Sequence, residues 1–571
     1  MKPRQVYGGN LAPNLLIAGA PRSGTTFLFS MLAKHPEIFG PAVKEPHYHL
    51  ADRWPLNGPE SDAFQEPLAE YLAGKRSTVW GGLMTNPDDY AALYRDGKDV
   101  AWRLEATPNY FAEGRWMAQR LLERLGPDIR IIVTLRDPVE RAHSHYRLFQ
   151  SLGWETLPFD AAIAAASQRR ETGWAPTWDY LRYSQYVQPI DEWQSVFGDC
   201  LKLVSFDDLT WQPRAVVEDI QDWLGLGPCF EPVGAEKNNA PPAAPNDEFN
   251  AETVVRATGR VDLEKERAVV SAIGGDRFQP PKVTIGMPVL NGERTVEAAL
   301  KSLLAQTYPN LEIVVCDNAS DDQTCAIVTA LAAKDDRITL RKFDDRVDIR
   351  TSYARARDTA SGSYFMFAPA DDTWLPQFIA AAVRRMQLNS EISVCCGRIN
   401  LLHDDGTMSL SAGVQDITGT PDRRWRDALM HTVDASRLYG LIRVSALQKL
   451  IPDVAPEGWD HYSAAKLALC GEVATIDAIA MNRHQTLDEK YRDHILSQEK
   501  SFLGQVFYLR HVRRLFIDDP DFNTGSIGAR LTLWGYVFQY SHLPLMEHKR
   551  LYKRFWKIGR MLGRLGRKLP F

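Results

Sequence analysis

Ala18-Gly19-Ala20-Pro21-Arg22-Ser23-Gly24-Thr25-Thr26-Phe27 decides how the first half of this chain folds. It lies between an apolar run, Leu15-Leu16-Ile17, and an apolar-periodic segment, Phe27-Leu28-Phe29-Ser30-Met31-Leu32. That order reads as strand, tight loop, helix. Gly19 and Gly24 stand where a phosphate-binding loop has its two glycines, so backbone N–H groups can crowd onto an anion. The helix N-terminus adds about half a positive charge, and Thr25 and Thr26 add hydroxyl donors. The spacing is G-x-x-x-x-G-T-T, without the lysine that grips a β/γ-phosphate pair. Such a loop suits a nucleotide with a single 5′-linked anionic group.

A second anion signal follows. Ile129 to Leu135 reads as a buried strand and runs directly into Arg136-Asp137-Pro138-Val139-Glu140-Arg141-Ala142-His143-Ser144. Asp137 suits a helix N-cap and Pro138 a first helical position. Arg136 then sits at a strand's C-terminal end, where open α/β sheets bind ligands. Ser144 lies about two turns into the helix.

PRSGTT followed by LRDPVERAHSHY resembles the two nucleotide-binding motifs of the sulfotransferases, over roughly residues 10–245. The resemblance implies a P-loop-like α/β domain with a parallel sheet and the sulfuryl donor 3′-phosphoadenosine 5′-phosphosulfate. Arg22, Ser23, Gly24, Thr25 and Thr26 would hold the 5′-phosphosulfate, and Arg136 and Ser144 the 3′-phosphate. Val43-Lys44-Glu45-Pro46-His47-Tyr48 resembles the K-E-x-H-[FY] segment of the heparan-type carbohydrate sulfotransferases, whose Glu is the general base. That implies Glu45 as base, with His47 the competing base. A carboxylate near Lys44 and Arg22 is expected to stay ionised, with partial burial bringing its pKa toward the working range. Two departures stand out: Ala106 replaces the Lys of the family's E-K-S-P-x-Y segment, and Arg22 stands where heparan-type enzymes often carry Lys. Lys237-Asn238-Asn239 would form a loop closing over the nucleotide.

A fresh domain begins after the Pro-, Ala- and Asn-rich residues 231–250 and a helix-like stretch from Glu252 to Ile273. Val283 to Val289 is a strand entering the loop Leu290-Asn291-Gly292, and Thr295 to Gln306 has helical periodicity. Leu311 to Cys316 is a second buried strand, ending in Asp317. This is a βαβ unit with a carboxylate at a strand's C-terminal edge. Pro288-Val289-Leu290-Asn291, the run Asp317 to Thr324, and Pro369-Ala370-Asp371-Asp372-Thr373-Trp374-Leu375-Pro376 resemble the family-2 inverting glycosyltransferases of the GT-A fold, over roughly 280–485. The resemblance implies that Asp317 contacts the base or ribose of a nucleotide-sugar. Asp371 would bind Mg²⁺ or Mn²⁺ bridging the diphosphate. Pro369 occupies the first Asp of the usual D-x-D. The alternative for Asp371-Asp372 is a helix N-cap. Asp460, with Glu457 second, is the expected base, and Asn482-Arg483-His484 the segment that contacts the diphosphate.

The last 85 or so residues match neither pattern and look helical. Lys549 to Lys568 carries nine Lys or Arg and no acid, with Leu551, Phe555, Ile558, Leu562, Leu565 and Leu569 as one apolar stripe. A basic amphipathic helix of this kind reads as a membrane-surface anchor; the alternative is a helix docked on the protein itself. The domains expected are therefore 1–245 (sulfotransferase), 246–279 (linker and helix), 280–485 (Rossmann-like GT-A α/β domain) and 486–571 (helical tail).

Composition frames the rest. A chain of 571 residues is too long for one domain. A net charge of −5 argues against nucleic acid as partner. Seven cysteines without a CxxC or Cys/His cluster suggest neither zinc nor a disulfide framework, and Cys395-Cys396 reads as core. MKPRQVYGGN lacks an apolar signal region and no stretch approaches a membrane span, so a cytoplasmic chain is expected, peripheral on the membrane's inner face. The leading reading is a bifunctional enzyme that transfers sulfate and a sugar to a carbohydrate or glycolipid acceptor of the surface-polysaccharide kind. The second is a sulfotransferase whose other half is a non-catalytic glycan-binding module. The third is a scaffold of two inactive folds.

Overall fold

Leu15-Leu16-Ile17-Ala18-Gly19 is a strand buried along its whole length, as a continuous apolar run requires when both faces of a sheet are covered. Leu16 and Ala18 join one apolar cluster and Leu15 and Ile17 another, so successive side chains go to opposite faces. In this computed structural model the described residues are 12–54, 61–231, 251–274, 278–403, 407–411, 415–431, 435–450, 459–485, 516–517, 519–522, 525–540, 557–558 and 560–565. They fall into two units, Met1–Gln279 and Pro280–Phe571.

The first unit contains β1 (Leu15–Gly19), β2 (Ile38–Phe39), β3 (Val43–Lys44), β4 (Val79–Trp80), β5 (Trp102–Ala106), β6 (Arg130–Leu135) and β7 (Leu201–Ser205). Five of them make one sheet in the order β2-β5-β1-β6-β7, with all neighbours parallel. β3 and β4 form a separate parallel pair. Because β5 and β6 flank β1, the loops leaving the C-terminal ends of all three lie on one edge. The strand read at Ile129–Leu135 is β6, and Pro138–Ser151 is the helix expected after it. Asp137 caps that helix, its Oδ1 accepting from the N–H of Val139 (2.9 Å) and Glu140 (3.0 Å).

The segment expected as linker and helix forms two helices, Ala251–Thr258 and Leu263–Gly274, that belong to the first unit. Val255, Val261, Leu263 and Val270 are buried with Leu16, Ile131 and Val133. Glu266 Oε2 accepts from the N–H of Tyr186 (2.7 Å) and Val187 (3.1 Å), and Arg267 Nε reaches the capping Asp137 at 2.7 Å. The amphipathic spacing that makes these residues helical also gives them an apolar face, and that face is covered here. Lys237-Asn238-Asn239 lie outside the described residues.

The second unit holds β8 (Val283–Val289), β9 (Leu311–Asp317), β10 (Ile338–Lys342), β11 (Tyr364–Phe367), β12 (Thr373–Trp374), β13 (Ile392–His403), β14 (Met408–Leu410), β15 (Leu441–Arg443) and β16 (Glu472–Gln485). The sheet order is β10-β9-β8-β11-β15-β13-β16-β12, with β14 on β13. The part from β10 to β11 is parallel, and β15 and β12 run antiparallel to their neighbours. The βαβ unit read in the sequence is β8, the helix Val296–Leu304 and β9. Asp371-Asp372 caps no helix: the turn runs into β12, and the next helix starts at Phe378 after Gln377. Cys395 and Cys396 are buried, and all seven cysteines are free.

The described part of 486–571 packs into the second unit's core. Phe516, Phe522, Ala529, Leu533 and Tyr536 cluster with Trp425, Leu429 and Tyr462. Buried Lys466 pairs with Asp519 (2.7 Å) and Asp521 (2.8 Å), and the Tyr462 hydroxyl donates to Asp519 at 2.6 Å. Near the terminus Gly563 lies against the helix Pro421–His431: a Cβ there would sit 2.2 Å from Met430 Cε. The apolar stripe is correspondingly split. Leu562 is half-buried, whereas Ile558, Met561 and Leu565 are exposed.

Candidate active sites

At the C-terminal end of β1 the chain takes left-handed φ values at Arg22 (67°) and Gly24 (83°) before the helix Thr25–Leu32 begins. Gly24 suits the place twice, since a Cβ there would also press on Leu209 and Phe206 at 3.1 Å. As cap residue it makes no side-chain bond to the first-turn N–H groups, which leaves that end suited to an anion. Ser23 is fully buried, and its Oγ has no hydrogen-bond partner among the described residues. Thr25 is buried and Thr26 half-buried beside it.

Adjacency of β1 and β6 brings the two motifs together. Arg22 Nε donates to Ser144 Oγ at 3.3 Å, across 122 residues of sequence. Burial, and then the like charge of Arg136, bring the Arg22 guanidinium down to about 10, with Glu45 acting the other way. Arg136 lies 4.6 Å above the Phe206 ring and pairs with Glu140 at 3.0 Å. Two guanidiniums in one neighbourhood, on a loop that also holds an unbonded buried hydroxyl, are chemically matched to phosphate and sulfonate oxygens.

The sequence reading passed over Arg141. It is fully buried and donates to Ser184 Oγ (2.7 Å), to the Tyr180 carbonyl and to the Pro21 carbonyl (3.4 Å). No carboxylate forms an ion pair with it among the described residues. Burial brings its pKa down to about 10, with Tyr186 and Tyr183 opposing and Arg136 adding to the fall. It ties the loop after β1 to the helix after β6. The available signal was its position on the helix face carrying Ala142, His145 and Phe149, all buried.

Glu45 is held at the same edge, its N–H donating to the Ala106 carbonyl at the end of β5 (2.9 Å). Its backbone is left-handed (φ 63°), as is that of His47 (φ 49°). Buried Lys44 donates from Nζ to Glu45 Oε1. Burial pushes the Glu45 carboxyl up, but Lys44, His47 and Arg22 outweigh it and leave the group below its ordinary 4.5. The expectation that burial would bring this pKa toward the working range is therefore corrected: the surrounding cations dominate. His47 is buried, with Nδ1 between the Glu45 (2.8 Å) and Gly82 (2.9 Å) carbonyls and Nε2 3.1 Å from Asn109 Oδ1. Carbonyls on both sides of Nδ1 require a proton there, and these bonds tie the ring to the loop. Where the lysine of E-K-S-P-x-Y is missing, Glu105 is buried, and burial raises its pKa although the Tyr90, Tyr110 and Thr107 hydroxyls oppose the rise.

In the second unit Asp317 ends β9 abreast of Val289 on β8, and its Oδ2 accepts from Ser320 N–H at 3.1 Å. The loops after the two strands interlock. Asn291 N–H donates to Ser320 Oγ (2.9 Å), Asp321 N–H to Asn291 Oδ1 (3.0 Å), and Gly292 N–H to Thr324 Oγ1 (2.8 Å). Asp371 is exposed and Asp372 buried. The pairing Thr373↔Asn482 sets Arg483 beside that turn, 4.9 Å from the Tyr439 ring. Burial, then Tyr439 and Asp371, raise the Tyr353 hydroxyl, while Arg483 opposes, so these four groups share one neighbourhood. Asp460 lies in the first turn of the helix Trp459–Cys470; Glu457 lies outside the described residues. Among the described residues no three His, Cys, Asp or Glu are grouped to hold a metal. Asp371 offers one carboxylate, which fits an ion taking its other ligands from phosphate oxygens and water.

Residues 13–231 match the Sulfotransferase family and residues 284–451 match Glycosyl transferase family 2. The human heparan sulfate glucosamine 3-O-sulfotransferase 6 is 29% identical over 38% of this chain and 52% of that protein. An Escherichia coli UDP-Glc:α-D-GlcNAc-diphosphoundecaprenol β-1,3-glucosyltransferase is 33% identical over 24% of this chain and 53% of that protein. A solved sulfotransferase structure from Alicyclobacillus acidocaldarius, 25% identical, covers 47% of this chain and 97% of that one with a TM-score of 0.36. The chain spans about half the length of the curated relatives it matches.

Proposed function

We propose that this chain, which carries one segment of the Sulfotransferase family and one of Glycosyl transferase family 2, is a bifunctional transferase acting on carbohydrate. One half transfers sulfuryl from 3′-phosphoadenosine 5′-phosphosulfate, and the other transfers a sugar from a nucleotide-sugar with inversion. The observation that carries the first activity is the meeting of the two motifs: Arg22 Nε donates to Ser144 Oγ at 3.3 Å, Arg136 is close enough to act on the Arg22 charge, and the next residue in the loop, Ser23, keeps a buried hydroxyl without a hydrogen-bond partner among the described residues. The donor nucleotide supplies the sulfuryl group. Arg22, Ser23, Thr25, Thr26 and the N–H groups around Gly24 hold its 5′ end, and Arg136 and Ser144 its 3′-phosphate. Glu45 takes the acceptor hydroxyl's proton as that oxygen bonds to sulfur. Arg22 faces the charge that gathers on the departing phosphate oxygen.

In the second half Asp317 holds the nucleoside. Asp371 supplies the protein's carboxylate to Mg²⁺ or Mn²⁺, with Arg483 nearby to face the diphosphate. A cation held there would offset the negative charge of the diphosphate leaving group. Asp460 is the base. The E. coli relative's name gives a diphosphoundecaprenol-linked acceptor, and a glycolipid or surface-polysaccharide acceptor is the reading adopted here. Exposed Ile558, Met561 and Leu565 beside Lys557, Arg560 and Arg564 support peripheral attachment to the inner membrane face. Among the described residues no helix is long and apolar enough to cross a membrane.

The test is calorimetric titration with adenosine 3′,5′-bisphosphate, and separately with UDP or GDP with and without Mn²⁺. Bisphosphate binding together with Mn²⁺-dependent diphosphate binding is expected. Bisphosphate binding alone would favour the glycan-binding module over a second active site. No bisphosphate binding by the folded chain would remove the sulfotransferase reading.

A further inference from the structure

β4 runs beside the segment that carries Glu45. Its register pairs Val43 with Val79 and Lys44 with Trp80. Backbone bonds continue the alignment: Gly81 N–H donates to the Lys44 carbonyl (2.8 Å), Gly82 N–H to the Glu45 carbonyl (3.1 Å) and Met84 N–H to the Pro46 carbonyl (2.9 Å). Val79 is buried in the small cluster with Val43, Leu68 and Tyr90, whereas Trp80 is 51% exposed. The other exposed large apolar side chains described in this unit are Leu72, Leu152 and Leu157, none of them aromatic. Lys44 Nζ, which donates to Glu45 Oε1, lies 5.8 Å from the indole centroid.

An exposed indole forgoes the stabilisation its burial would bring, yet it lies in a strand paired with β3, between backbone bonds from Val79 and Gly81. Its position is therefore fixed by the same ladder that fixes Glu45. A pyranose has an apolar C–H face, which suits the electron-rich face of an indole, and a rim of hydroxyls, which suits a carboxylate and an ammonium. Both kinds of group are present here within two paired strands.

We propose that Trp80 is the platform on which the acceptor sugar of the sulfotransferase half stacks, placing one hydroxyl against Glu45. The proposal rests on the sulfotransferase reading above. It makes Trp80 a residue that sets acceptor affinity, without a part in proton transfer or donor binding.

The experiment compares the full chain with Trp80→Ala, Trp80→Phe and Trp80→Leu. Radiolabelled sulfuryl transfer is followed to an unsulfated glucuronate–N-acetylglucosamine hexasaccharide and to an N-acetylglucosamine hexasaccharide. Calorimetry with adenosine 3′,5′-bisphosphate runs in parallel. Trp80→Ala is expected to raise acceptor KM on the order of tenfold with kcat and bisphosphate affinity little changed. Trp80→Phe should recover most of the loss and Trp80→Leu should not. An acceptor KM within about twofold of wild type for Trp80→Ala, or equal values for Phe and Leu, overturns the platform. A wild-type chain that binds bisphosphate but sulfates neither glycan overturns the sugar acceptor and the platform with it. A chain that binds no bisphosphate fails at the donor site instead.

Discussion

Replacing Arg136 with alanine removes one of the guanidiniums near the loop after β1. In the free protein that side chain is engaged with Glu140 at 3.0 Å, a partly exposed pair. Such a pair is worth about 0–1 kcal/mol. Charge-assisted bonds to a phosphate contribute about 1.5–3 kcal/mol. The difference, roughly 2 kcal/mol, corresponds to a loss of about thirtyfold in affinity for adenosine 3′,5′-bisphosphate. Ser144→Ala removes a neutral bond and should cost about fivefold. The two changes should not add, because Ser144 Oγ also accepts from Arg22 Nε at 3.3 Å and so helps orient the second cation. The same reasoning gives a prediction of opposite sign. Glu140→Gln releases Arg136 from its competing partner and should tighten binding by about two- to fivefold. Calorimetric titration of the wild type, the three single variants and the Arg136→Ala, Ser144→Ala double variant at low and moderate salt is the assay, with affinity falling as salt rises. Arg136→Ala binding within about threefold of wild type, together with an unchanged Glu140→Gln, would refute the assignment of these groups to the nucleotide.

The remaining predictions concern pH, the C-terminal core and the membrane. Cations outweigh burial at Glu45 and lower its folded pKa, so its stabilising share is present above 4.5 and disappears as pH falls through the lowered value. The acid limb of kcat/KM for sulfuryl transfer should therefore lie below 4.5 and move upward in Lys44→Met; a wild-type limb above about pH 6 would contradict this. Lys466→Met leaves Asp519 and Asp521 without their buried cation. That should cost about 3 kcal/mol and lower the second unit's melting temperature by several degrees, and an unshifted transition would show that the pair is dispensable. Reversing Lys557, Arg560 and Arg564 to Glu should abolish co-sedimentation with vesicles containing about one-third anionic lipid, and retained binding would place the attachment elsewhere.

Sequence alone determined the strand–loop–helix units. Leu15–Thr26 and Ile129–Ser144 were legible because burial of an apolar run, a left-handed glycine, an Asp cap and a Pro at the first helical position act over a few residues. The same short-range logic made Val283–Val289 and Asp317 readable. It failed where a segment's fate depends on distant partners. Val255 and Val270 read as helical but as lying outside the first domain, because the surface that covers them comes from strands more than a hundred residues earlier. Leu562 read as part of one apolar stripe, but it is half-buried where its neighbour Gly563 lies against Met430, while Ile558, Met561 and Leu565 are exposed. The helix cap that stood as the alternative for Asp371-Asp372 is excluded only by pairing with β16, far along the chain, which draws Thr373-Trp374 into a strand.

Only the tertiary structure decided which charges meet. The sheet order places β6 beside β1, and so Arg22 beside Ser144 and Arg136. It buries Arg141 between the two motifs and exposes Trp80 beside Lys44 and Glu45. Propensity and capping are local free energies that a sequence window contains. Desolvation and Coulomb interactions depend on separation in space, which exists only once the strands have paired.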